Sequence, residues 1–218
     1  LVGSEMCIRD RLYNKFRYKG GFGLRNSERA AFVGVDIEST GKDVLNDSML
    51  ELGMITFDKN LNEIDCFASV IYPSVNARCL TNAYVTRMHT RNGLFTDIES
   101  RDKNEILTQV VEAKALSWLN SQNIDEPAIM LGSSVHFDRM FIKREMPSLD
   151  ARFSYKLADA TSFGIISQVV GQVSSSYVSA GPTYDGTNKR VLEHIRESAN
   201  KIKRTLYGLG LKRQDFIE

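Results

Sequence analysis

The sequence predicts an α/β domain whose mixed sheet begins with three antiparallel strands and is flanked by helices. Three observations carry that prediction: three apolar runs joined by tight connections over 31–72, apolar positions at helical spacing over 104–120, and a short apolar run at 127–134 that passes directly into another helical pattern. Strands first, then helices alternating with strands, describe a layered α/β sheet.

Each element follows from its residues. AFVGVDIE, from Ala31 to Glu38, is apolar and β-branched and reads as a buried strand ending in two carboxylates. LELGMITFD (Leu50 to Asp58) is a second strand. The turn at Asp58-Lys59-Asn60 leads to a third, IDCFASVIY (Ile64 to Tyr72), and Pro73 and Asn76 end the run. In NEILTQVVEAKALSWLN (Asn104 to Asn120), Ile106, Val110, Val111, Ala115, Leu116 and Leu119 recur at helical spacing. PAIMLGSS (Pro127 to Ser134) is a fourth strand feeding the helix FDRMFIKREM. Helical patterns also cover Ala158 to Val170 and Thr187 to Leu206, separated by a Ser/Gly-rich loop at Gln172 to Gly186.

Composition narrows the function classes. The 28 Lys and Arg against 27 Asp and Glu give a net charge of +1, which excludes a strongly basic nucleic-acid wrapper and an acidic tail. No run of eighteen or more apolar residues is present, so no membrane span is expected. Cys7, Cys66 and Cys79 form neither a zinc pattern nor an even disulfide framework, and free thiols in a reducing, cytoplasmic setting are expected.

The balanced charge is a composite. Residues 1–11, LVGSEMCIRDR, read as the translation of a transposon-type sequencing adapter and are set aside from the fold. Residues 12–30 carry Lys15, Arg17, Lys19, Arg25 and Arg29 against Glu28, with aromatics and glycines interleaved. This leader reads as a flexible basic terminus, with a nucleic-acid-binding arm as the sharper alternative. Lys201, Lys203, Arg204, Lys212 and Arg213 add a second basic stretch, more simply a solvated helix face.

The chemistry centres on carboxylates. Asp36 and Glu38, two residues apart on a strand, leave the same face at its C-terminal end, where α/β sheets place ligands. Two carboxylates so close repel unless protonated or bridged by a cation, and hard oxygen donors suit Mg²⁺ or Mn²⁺. Alone, such a pair is an ordinary solvated strand end. Asp138, on the first turn of the helix after the fourth strand, adds a third carboxylate, although a lone Asp there is usually a helix-start charge.

VDIESTG (Val35 to Gly41), VTRMHTRNGL (Val85 to Leu94) and GSSVHFDRMFI (Gly132 to Ile142) together resemble the oligoribonuclease family of DEDD 3′–5′ exonucleases. FSYKLADATS (Phe153 to Ser162) and IRES (Ile195 to Ser198) extend the match in the same order, over about residues 31–210, with 211–218 left as a tail. The resemblance implies a ribonuclease-H-like mixed sheet and removal of nucleotides from the 3′ end of very short RNA. It also implies two Mg²⁺ or Mn²⁺ ions and a homodimer. In the two-ion scheme one cation helps form hydroxide and both stabilise the attacking and leaving oxygens. Asp36, Glu38 and Asp138 match three of the family's four metal carboxylates. His89 matches a residue that helps recognise the small substrate, and Tyr155, Lys156 and Thr161 fall where a partner subunit caps the 5′ phosphate. Taken alone, His89 reads as a helix-surface or core histidine.

The sequence departs from the family in its final motif, H-x₄-D. Counting back from Ile195 places Lys189 at the general base and His194 at the fourth carboxylate. A protonated lysine cannot accept a proton from water. A neutral His194 can ligate Mn²⁺, yet it removes one negative charge from a site meant for two dications. Glu193, rotated about 100° around the helix, is a poor substitute. Lys189 could place its ammonium where the second ion would sit, leaving a one-ion site. Tyr84 stands where the family has Trp and can still stack on a base, and Lys42 stands where it has Leu. Two readings follow: a metal-dependent 3′–5′ exoribonuclease on short single-stranded RNA or DNA, impaired or Mn²⁺-preferring, and a degenerate relative that binds short nucleic acid or 5′-phosphate ends without cutting.

Overall fold

The computed structural model describes residues 29–73, 83–170 and 189–210. The adapter-like stretch, most of the basic leader, Cys7, Cys79, the Ser/Gly-rich loop and the 211–218 tail lie outside the described residues. Five strands form one mixed sheet in the order β3-β2-β1-β4-β5, with β1 Phe32–Ser39, β2 Met49–Phe57, β3 Glu63–Val70, β4 Ala128–Gly132 and β5 Phe153–Asp159. β1 pairs antiparallel with β2 and β2 with β3, whereas β4 joins β1 and β5 joins β4 in parallel. The antiparallel opening is therefore as expected.

The helices are α1 Ala83–Arg91, α2 Leu94–Glu99, α3 Thr108–Ser121, α4 Val135–Glu145, α5 Pro147–Asp150, α6 Ala160–Val169 and α7 Val191–Gly208. A short 3-10 turn at Lys103–Glu105 precedes α3, so the helix expected from Asn104 starts four residues later. The helix expected from Ala158 begins at Ala160, because the preceding seven residues are strand β5. Strand and helix meet without a loop: Asp159 closes β5 and caps α6, its side chain accepting from the Ser162 amide at 2.9 Å. No described helix is long and apolar enough to cross a membrane.

The alternation of side chains along β1 divides the molecule into two layers. Val33, Val35 and Ile37 enter a large core with Val111, Ala115 and Leu119 of α3 and Phe141 and Ile142 of α4. The opposite face presents Gly34, Asp36 and Glu38, and α7 covers it. A Cβ at Gly34 would stand 2.3 Å from Ile195 Cγ2, and one at Gly53 2.6 Å from Val191 Cγ2. Two glycines on the same face of neighbouring strands, Gly34 opposite Ile55 and Gly53 opposite Asp36, thus form the seat for α7. Ile195 and Ala199 complete a second core with Ile55, Phe57 and Leu131. Burial of this face is what draws the start of α7 toward the end of β1.

Candidate active site

Asp36 and Glu38 leave the α7 face of β1, and the first turn of α7 brings His194 to them. His194 Nδ1 lies 3.2 Å from Asp36 Oδ2 and 3.8 Å from Glu38 Oε1, and one donor atom from each of the three residues falls within 4.8 Å of the others. Asp138 enters from α4 and is almost fully buried, its Oδ1 accepting from the Ile37 amide at 3.1 Å. Ser134, left-handed at φ 54°, turns the chain sharply from β4 into α4, and Asp159 accepts from the Val135 amide at 3.1 Å. A strained turn at a strand end is a common way to aim a side chain at a site.

The charges explain one another. Burial raises the Asp36 carboxyl above its ordinary range, with His194 pulling it back, and burial with the neighbouring Asp36 charge pushes Glu38 up to about 8. Asp138 is pushed well up by burial and then by Asp36. For His194, burial alone would lower the pKa, but the hydrogen bond and charge of Asp36, helped by Glu38 and Glu197, raise it to about 9. His194 is thus an imidazolium at neutral pH, the cation between two acids. Three crowded carboxyls whose protons are hard to remove are groups waiting for positive charge.

The other expected positions are distributed around this cluster. His89, on α1, is fully buried, and its Nε2 donates to the Ser39 carbonyl at 3.1 Å and lies 3.9 Å from Glu38. Its ring meets Phe95 edge-on at 5.6 Å, and its Nδ1 is buried with no partner among the described residues. Burial lowers its pKa, so it stands neutral. Lys189 pairs with Glu197, which lies two turns into α7. Glu193 is occupied as a helix cap, its side chain accepting from the Arg190 amide at 3.2 Å. Tyr84 is exposed at the start of α1. Tyr155 and Lys156 are exposed on β5, the edge strand, with the ammonium 5.9 Å from the ring. Thr161 opens α6 and its hydroxyl accepts from Ser134 Oγ at 3.2 Å.

Three residues that the motifs do not single out also belong to this region. Glu51, wholly buried on β2 and in register opposite Glu38, takes a bidentate contact from Arg190, which also holds Asp97 of α2. A glutamate in the middle of MLELGMITF was the available signal, since a carboxylate in an apolar strand needs a partner. A cavity of about 850 Å³ lies elsewhere, between α6 and α7, lined by Leu131, Leu157, Phe163 and Leu206. It contains none of the clustered acids; its lining is largely apolar but also includes His136, Asp159 and Lys203.

The sheet and the strand-end acids define a class, the exonuclease fold of ribonuclease-H type. An Escherichia coli exonuclease I crystallised with single-stranded DNA and zinc superposes with a TM-score of 0.51 at 12% identity, over 83% of this chain and 41% of that longer one. The RNase domain of the yeast Pop2 protein superposes at 0.53 and 10% identity, over 91% and 83% of the two chains. At the level of sequence, the exonuclease family model matches residues 33–170. A probable oligoribonuclease of Drosophila melanogaster is 32% identical over 178 residues, 78% of each chain, and the oligoribonuclease of Tropheryma whipplei (strain Twist) is 30% identical over 171 residues, 77% and 89% of the two. The chain belongs to the exonuclease family, in its oligoribonuclease-like branch.

Proposed function

We propose that this protein is a metal-dependent 3′–5′ exoribonuclease that releases nucleoside monophosphates from short oligonucleotides. The observation that supports this most is the convergence of Asp36, Glu38 and His194 within 4.8 Å, with Asp138 beside them. The donor set fits a divalent ion: two carboxylates and an imidazole suit Mn²⁺ better than Mg²⁺, which prefers oxygen throughout. Asp36, Glu38 and His194 would hold it, with Asp138 as the candidate for a second ion. A bound ion would supply Lewis acidity toward the phosphodiester oxygens.

The chain's own groups do the rest. Asp36 and Glu38 provide negative charge that a cation and a polyanion can share. His194 must give up the proton that it holds between them before its Nδ1 can act as a donor to metal. Tyr84 offers an exposed ring on which a terminal base can stack. His89, adjacent to Glu38, is the candidate for recognising the sugar end. Tyr155, Lys156 and Thr161 form a phenol, an ammonium and a hydroxyl suited to a 5′ phosphate. They lie on or next to an edge strand, a placement that suits completion of the site by a second copy of the chain in a homodimer. The expected setting is the reducing cytoplasm.

The binding reading rests on Lys189 and His194, which by the resemblance stand where the family has its base and its fourth carboxylate; Lys189 is engaged by Glu197. Incubation with a 5′-labelled dinucleotide and Mn²⁺ separates the two. The nuclease reading expects monophosphate product above that of Asp36→Ala, whereas binding of the dinucleotide without any product supports the other.

A further inference from the structure

Arg190 is the residue on which α7 begins. Its side chain, 11% exposed, lies between carboxylates from two other elements. Nε and Nη2 donate to Glu51 Oε2 and Oε1 at 2.6 and 2.7 Å, and Nη1 donates to Asp97 Oδ2 at 2.9 Å. One guanidinium therefore joins α7 to the second strand and to α2. Arginine suits this role because its planar fork can satisfy two acids at once, which an ammonium on a flexible stem does less well.

Stability alone does not account for this contact. Glu51 is wholly buried, and a buried ion pair is often no more stabilising than packed apolar side chains of similar size. Its location is more informative. Glu51 lies in register opposite Glu38, on the face where Gly34 and Gly53 admit α7. Arg190 is one helical turn from His194, whose amide donates to the Arg190 carbonyl at 3.2 Å. The glycine seat fixes how closely α7 approaches the sheet. It does not fix how far the helix slides or rotates, and a two-armed clamp at its N-cap residue does. The same guanidinium offsets the Glu51 charge that Glu38 faces.

We propose that Arg190 is a positioning residue for the carboxylate cluster: by gripping Glu51 and Asp97 it fixes the first turn of α7 so that His194 is held beside Asp36 and Glu38. The proposal rests on reading that cluster as the metal centre.

The test uses the full chain with Glu51→Met and Arg190→Met together, which removes both buried charges and leaves neither unpaired. Asp97, 44% exposed, remains solvated. Thermal unfolding, amide hydrogen exchange over 191–195 and Mn²⁺ titration are measured beside the parent and Arg190→Lys. A merely structural pair leaves the double variant with parental exchange and parental Mn²⁺ affinity. A positioning pair leaves the melting temperature close to the parent while first-turn exchange quickens by about tenfold or more and Mn²⁺ binds roughly tenfold more weakly. Arg190→Lys, able to hold Glu51 but not to bridge, falls between. Parental exchange in the double variant overturns the proposal, as does parental Mn²⁺ affinity where the parent binds Mn²⁺. If the parent itself does not bind Mn²⁺, it is the metal-centre reading that fails, and the exchange decides the positioning role by itself.

Discussion

His194 Nδ1 and Asp36 Oδ2 stand 3.2 Å apart across the gap between α7 and β1, an imidazolium beside a buried acid. In the absence of metal the histidine proton supplies the positive charge that the cluster needs. That proton competes with a cation for the same acids, and several consequences follow from it.

The first is a pH dependence of stability. Glu38, held at about 8 against 4.5 in an unfolded chain, keeps its proton in the fold after the unfolded state has lost it, so folding weakens as pH rises from 4.5 to 8. His194, held at about 9 against 6.5, contributes stability that is complete below 6.5 and gone once pH passes 9. Both signs agree. The melting temperature of the metal-free protein is expected to fall between pH 6 and pH 9, and saturating Mn²⁺ to flatten that decline. Calorimetry with and without Mn²⁺ checks it, and a metal-free stability that rises over this range contradicts it.

A second consequence concerns the departures from the family motif. His194→Asp puts a carboxylate where the imidazole stands and removes the competing proton, so Mg²⁺ is expected to support the proposed reaction as well as Mn²⁺. Adding Lys189→His returns a base and is expected to raise kcat by about 10²-fold, the lower end of what positioned general bases contribute. Steady-state rates in each metal decide this. A double variant no faster than the parent removes Lys189 and His194 as the cause of any impairment.

Gly34→Ala tests the seat of α7. The new methyl would lie 2.3 Å from Ile195 Cγ2 and 2.7 Å from Phe57 Cε2, an overpacking expected to cost about 1–3 kcal/mol of stability. Because relief comes most easily by moving the helix outward, Mn²⁺ affinity is expected to fall in the fraction that remains folded. Denaturant melts paired with Mn²⁺ titration at low temperature report both effects.

His89→Leu separates stability from recognition. The substitution removes a buried Nδ1 that lacks a partner among the described residues and also loses the bond to the Ser39 carbonyl. These offset, each being about 1 kcal/mol, so stability is expected to change little. The proposed role in recognition predicts a KM raised roughly tenfold, about 1.4 kcal/mol, with kcat nearly unchanged. A fall in kcat with an unaltered KM would instead assign His89 to orienting Glu38.

How far the sequence reveals this depends on which interactions are local. Alternation in AFVGVDIE and the tight turn at Asp58-Lys59-Asn60 are short-range signals, and they correctly predict an antiparallel opening with two acids on one face. β5 escapes because Asp159 serves as both the last strand residue and a helix cap, leaving no turn residue to separate FSYKLAD from the helix. α1 and α2 are passed over for a similar reason: VTRMHTRNGL is read for its motif and not for its period. Asp36, Glu38, Asp138 and His194 are legible because the motif order carries them. Arg190 and Glu51 are 139 positions apart, and nothing in local spacing pairs them until α7 is laid across the glycines of β1 and β2.

We propose that the cluster of Asp36, Glu38 and His194 cuts RNA from its 3′ end. A time course on a 5′-labelled pentaribonucleotide with Mn²⁺, run beside Asp36→Ala, tests it most directly. A ladder that shortens one nucleotide at a time while the label stays on the shrinking oligomer, absent from the Asp36→Ala lane, is the predicted result. Labelled mononucleotide released at the outset, or product that is unchanged by Asp36→Ala, would contradict it.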